Sequence, residues 1–176
     1  MKKLSICLIL ISSVAPTCVL GQGDAQRDKL PEVLRKMVAA TRTLKYSGTR
    51  VVEFRDGANR SEHTEIVLKD GLHTRIEFPA HSPQAGQIIV ETPKDRLHYF
   101  PDVNEIHVLP PRREEAVTRL MGLVRGQISA QVSEGEKIAE LPTSLVSIND
   151  LRGNTLQKLW IHPRSGMLLK REIFDN

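Results

Sequence analysis

The side chains with the widest chemical repertoire in this sequence are its histidines. His63, His73, His98, His107 and His162 fall on five separate segments of alternating polarity, the pattern of outward positions on β-strands. If such strands pair in sequence order, His63 and His73 become cross-strand neighbours, as do His98 and His107, and each pair offers two imidazole nitrogens to a metal ion. Every one of these histidines also alternates with Arg, Glu or Lys, which reads as a solvated sheet face. Glu62, Glu65, Glu77 and Glu91 stand apart from one another and form no acid and base pair. No nucleophile elbow, phosphate loop, dinucleotide fingerprint or helical HExxH occurs. The run Arg112, Arg113, Glu114, Glu115, Arg119 and Arg125 suits either an anionic head group or acidic partner, or a solvated helix face laced with ion pairs. These patterns predict a protein that is not an enzyme, with no catalytic residue, no metal and no cofactor.

The N-terminus explains the missing thiol chemistry. Lys2 and Lys3 precede an apolar run from Leu4 to Val14, the layout of a secretory signal peptide and too short for the ~20 residues of a membrane-spanning helix. Small residues allow cleavage after Gly21 or after Ala25, and the first gives a leader of residues 1–21 and one domain over 22–176. Both cysteines, Cys7 and Cys18, lie in that leader, so the domain is expected to hold neither a disulfide nor a thiolate metal site. Cys18 also raises a lipid anchor, although Ala15-Pro16-Thr17 fits the lipoprotein pattern badly. Loss of Lys2 and Lys3 lowers the net charge from +4 to +2, with charges interspersed, which argues against nucleic acid as a partner. About 155 residues remain, enough for one core.

The elements that must position these side chains follow from periodicity. Leu30, Val33, Leu34, Met37, Val38, Thr41 and Leu44 recur at helical spacing, with Asp28 as cap and Pro31 in the first turn. From Tyr46 the period becomes two. Asp56-Gly57 and Asp70-Gly71 mark two successive hairpins. After the loop from Pro79 to Gly86, strands are expected from Gln87 to Glu91, Arg96 to Phe100 and Val103 to Leu109. A second amphipathic helix within Arg113 to Arg125 presents Val117, Leu120, Met121 and Val124. Five strands then follow, at about Ile128 to Val132, Lys137 to Glu140, Leu145 to Leu151, Thr155 to His162 and Met167 to Phe174. An antiparallel sheet this long curls, and two helices are at hand to cover its concave face.

Three stretches carry a resemblance to a known superfamily. Leu44 to Phe54 (LKYSGTRVVEF), Ile88 to Leu109 (IIVETPKDRLHYFPDVNEIHVL) and Leu156 to Asp175 (LQKLWIHPRSGMLLKREIFD) resemble, in order, a helix exit with its first strand, an apolar strand followed by an aromatic-x-aromatic-Pro turn, and a closing hairpin. They are similar to segments of the periplasmic superfamily of the lipoprotein carrier LolA and the envelope-stress regulator RseB, also called MucB. The resemblance implies an α+β fold, a strongly curved antiparallel half-barrel sheet with an N-terminal helix and an inserted helix covering the concave face. Carriers have an arginine near the end of the second strand that helps hold the helical lid closed. Here that region reads Leu68-Lys69-Asp70-Gly71, so either Lys69 substitutes or the lid works differently.

In that fold the inward set would hold Val52, Phe54, Ile66, Leu68, Ile76 and Phe78 from the first hairpins. Ile88, Val90, Leu97 and Tyr99 would extend it, with Leu120 and Met121 contributed by the inserted helix. An apolar stripe looks the same in sequence whether it lines a cavity or a filled core. The expectation is an exported periplasmic binding protein for lipid, lipoprotein acyl chains or hydrophobic peptide, acting as carrier or as sigma-factor regulator. An anti-sigma factor or another envelope protein, and peripheral contact with a membrane, are the expected partners. The alternative is an envelope interaction protein with a filled core and no ligand.

Overall fold

A computed structural model describes residues 2–10, 30–111, 122–123 and 125–174. Among the described residues, helix α1 (Glu32–Thr43) accompanies eleven strands: β1 (Lys2–Leu10), β2 (Lys45–Asp56), β3 (Asn59–Asp70), β4 (His73–Glu77), β5 (Ile88–Glu91), β6 (Arg96–Phe100), β7 (Glu105–Leu109), β8 (Ser129–Ile138), β9 (Leu141–Asn149), β10 (Thr155–Ile161) and β11 (Leu168–Phe174). They form one open sheet in the order β7-β6-β5-β4-β3-β2-β1-β11-β10-β9-β8, antiparallel throughout. The class is α+β, mostly antiparallel sheet.

The helix forms where the apolar period is 3.6 residues, and it buries Leu34, Met37 and Ala40. Pro31 is its N-cap rather than a first-turn residue, because its ψ of 141° is extended and no side chain caps the helix. Glu32 then supplies the acidic first turn and is held below its ordinary pKa by a hydrogen bond and charge from Lys36. Both predicted Asp-Gly turns are present, with Gly57 at φ 59° and Gly71 at φ 57°, backbone that favours glycine. The two strands expected between Ile128 and Glu140 are one, β8, with an irregularity between Gly135 and Ile138 where it pairs with β9. Of the expected second helix residues 122–123 are described as helical and Arg125 as a turn, and Leu123 packs on the core. Asp28 and the charged run from Arg112 to Arg119 lie outside the described residues.

The largest departure from expectation is β1. Residues assigned to the export leader form the strand between β2 and β11, joining two half-sheets of consecutive hairpins, β2 to β7 and β8 to β11. A nine-residue stretch with neither proline nor glycine can offer every backbone group to two neighbours. The main core sits under α1, where Leu34 and Met37 meet Val146, Ile148, Leu159 and Ile161. Ile138, Trp160, Met167 and Leu169 form a second cluster, and Ile76, Phe78 and Ile89 a third within the other half-sheet.

Candidate functional site

Beneath the C-terminal half of α1 lies a cavity of about 230 Å³. Met37, Ala40, Thr41 and Leu44 roof it. Ile148 of β9, Gln157 and Leu159 of β10, and Leu168 to Arg171 of β11 form one wall. Tyr46 and Arg50 of β2 and Lys69 of β3 form the other. The roof is fixed by two contacts with the turn between β10 and β11. Lys36 Nζ donates to the Pro163 carbonyl at 3.3 Å, and Gly166 sits so close under the Lys36 carbonyl that a Cβ there would collide with it. At the other end the Gly71 amide donates to the Leu44 carbonyl at 3.0 Å, tying the helix exit to the second hairpin.

The lining is apolar with a cationic border. Arg50, Lys69, Lys170 and Arg171 contribute to it, and among the described residues no carboxylate does. Arg50 Nε donates to Glu65 Oε2 at 2.6 Å, and Glu65 Oε1 lies 3.0 Å from His63 Nε2, so a buried carboxylate aims the guanidinium. The His63 ring lies between Phe54, at 6.1 Å, and Phe78, at 5.9 Å. Burial pushes the Tyr46 phenol above its usual pKa despite Arg50 nearby, so Tyr46 stays a neutral hydrogen-bonding group. Lys170 is opposed by burial, but Glu136 at 2.9 Å and Glu172 at 3.3 Å outweigh that and raise its pKa overall. Its ammonium also stands 4.3 Å from the centre of the Trp160 ring.

None of the ten described residues among the twelve expected to line the site borders this cavity. Register divides the ten described ones between two faces. Val52 pairs with His63, Val67 with Ile76 and Ile76 with Ile89, so Val52, Phe54, Ile76 and Phe78 share the face of Arg50. Ile66, Leu68, Ile88, Val90, Leu97 and Tyr99 point the other way. Val52, Ile76 and Phe78 are buried, Phe54, Ile66 and Leu68 are exposed, and Ile88, Val90, Leu97 and Tyr99 are half-buried. Leu120 and Met121 lie outside the described residues. Val67, buried at the centre of the first face, was missed. The cavity residues from β10 and β11 were missed too, although Leu156 to Asp175 is where the resemblance was read.

The histidine pairs divide as well. His98 and His107 are cross-strand partners, whereas His63 faces Val52 and His73 faces Asp70. Phe100 packs 4.0 Å from the His98 ring and 4.7 Å from the His107 ring, and His98 Nε2 is 2.8 Å from Gln87 Oε1. Among the described residues no three metal-ligating side chains come together. No known family and no curated protein matches the chain. The cavity therefore has to be read from its own chemistry: room for roughly seven methylene-sized groups at about 30 Å³ each, bordered by cations.

Proposed function

We propose that the chain is an exported, non-enzymatic periplasmic protein that binds an apolar chain carrying an anionic head, such as a lipid or the acyl chains of a lipoprotein. The observation that carries this reading is the apolar cavity under α1, whose border holds four cationic residues and, among the described residues, no carboxylate. Burial of seven methylenes contributes about 6 kcal/mol at ~0.8 each. That corresponds to sub-millimolar affinity before the cost of ordering the ligand is subtracted. Tighter binding has to come from the charged border, which makes the head group as important as the tail. On this reading the sheet curls into a strongly curved half-barrel, with α1 and the 113–125 helix over its concave face. A role as lipoprotein carrier or as RseB-like regulator acting on an anti-sigma factor follows from the resemblance of its three stretches. No described helix is long and apolar enough to cross a membrane.

The test starts from protein recovered after export, extracted with organic solvent and analysed for co-purified acyl ligand. Laurate should displace a hydrophobic dye from it. Ala40→Trp, which fills the cavity from its roof, should abolish that displacement and leave the fold intact by circular dichroism. Protein that carries no acyl ligand and binds neither dye nor laurate would overturn the reading.

A further inference from the structure

β2 and β11 each pair with β1 and not with each other. Cys7 of β1 pairs with Val51 on one side and Lys170 on the other, and Lys3 pairs with Arg55 and Phe174. The two flanking strands therefore run parallel to each other, with one strand position between them. All ten pairings in the sheet are antiparallel. If Lys2–Leu10 leaves with the leader, direct closure of β2 on β11 would create the sheet's only parallel pair, which is the weaker ladder per residue. Neither β2 nor β11 contains proline, so every residue along both edges keeps a backbone donor for an incoming strand. The slot also borders the cavity, since Tyr46 and Arg50 come from β2 and Leu168 to Arg171 from β11.

We propose that the gap between β2 and β11 is a strand-accepting site, filled by Lys2–Leu10 before export and by an extended apolar peptide of a partner protein afterwards. The occupant in the structure defines the ligand: proline-free, extended, antiparallel to both flanks, pairing at nine positions with β2 and five with β11. Main-chain hydrogen bonds to both flanks hold it, and the apolar composition of the strand sets the class of segment accepted. The proposal rests on the cavity reading and extends it from acyl chains to peptide segments, because one opening serves both.

The experiment uses protein recovered after export of the full-length chain. Its mass should show that Lys2–Leu10 is gone, and a chain that retains this segment overturns the proposal. The probe is the synthetic peptide Lys2–Leu10 with Cys7→Ser. Hydrogen exchange followed by mass spectrometry should slow by at least about tenfold in both Gly48–Asp56 and Lys170–Phe174 when the peptide is added. The same peptide with Ile6→Pro should give no protection. Unchanged exchange in either flank, or equal protection by both peptides, overturns strand addition. Laurate displacement of dye is measured on the same sample. Laurate binding without strand protection sinks the slot and leaves the cavity reading standing, and protection without laurate binding supports the slot and sinks the acyl reading.

Discussion

The two half-sheets joined by β1 are built from similar hairpins and solve burial differently. In β8 to β11 the face under α1 carries Val146, Ile148, Leu159 and Ile161, all buried against Leu34 and Met37. In β2 to β7 the same face carries Val52, Val67, Ile76 and Ile89, interleaved with Arg50, Glu65, His63 and His98. Its polar groups are satisfied sideways, by Arg50 and His63 on Glu65 and by Gln87 on His98. The opposite face of this half leaves Ile66, Leu68, Ile106 and Val108 exposed. Stability is thus concentrated under α1, and the cavity lies at the boundary between the two solutions, with two cationic residues on each wall.

The largest effect expected from this contrast is at Leu34, which is fully buried. Leu34→Ala should cost about 3–5 kcal/mol in denaturant unfolding, because it opens a void between α1 and four strand residues. The corresponding deletion in the other half, Ile89→Ala, should cost clearly less, at about 2 kcal/mol, since its cluster holds only Ile76 and Phe78 besides. Equal losses would break the comparison. Next comes Gly166, at φ 71° and packed beneath Lys36. Gly166→Ala should cost about 2 kcal/mol and weaken laurate binding, because it strains the turn and lifts the roof of the cavity.

How much of this was legible in sequence depends on what each inference needed. Turns and strand ends needed only local chemistry, and Asp56-Gly57, Asp70-Gly71, β6 and the helix from its apolar spacing were all readable. Which face a strand presents needed register. A turn confined to Gly57 and Ala58 pairs even-numbered residues of β2 with odd-numbered residues of β3, as Val52 with His63 shows. That arithmetic puts Val67, not Ile66 or Leu68, on the face of Val52, and repeating it across the next turn selects Ile76. The signal was present and alternation alone does not carry it. The cavity could not be read this way, since it depends on where α1 docks, and docking is decided by contacts between residues more than a hundred positions apart, such as Lys36 with Pro163. The pairing of Lys2–Leu10 was hidden for another reason. A leader and a central strand share one composition, and only pairing with both β2 and β11 distinguishes them.

Acid should act on both halves, more weakly. Burial, then Arg96 and His107, hold His98 below its ordinary pKa of 6.5. Burial and then Arg164 do the same for His162 at the end of β10. Each is depressed in the folded state, so the unfolded chain takes up the proton first as pH falls. Stability from the neutral imidazoles is intact above 6.5 and is lost as pH drops through the folded values. The melting temperature should fall between about pH 7.5 and about pH 5.5, and His98→Gln and His162→Gln should each remove part of that fall. A profile unchanged in both variants would show that neither half senses protons through these groups.

The smallest effect tests the exposed face. Ile106 and Val108 on the edge strand β7 are 62% and 68% exposed, and neither belongs to a core cluster. Ile106→Thr keeps the branching at Cβ that suits a strand and removes apolar surface already in water. Its unfolding free energy should change by less than about 0.5 kcal/mol, against several for Leu34→Ala. A loss of about 1 kcal/mol or more that disappears on dilution would mean that a second copy covers β7 in solution. The same loss independent of concentration would mean that the chain itself covers it. Either result would remove the asymmetry between the half-sheets, because the apparently uncovered half would then be buried by contacts of its own.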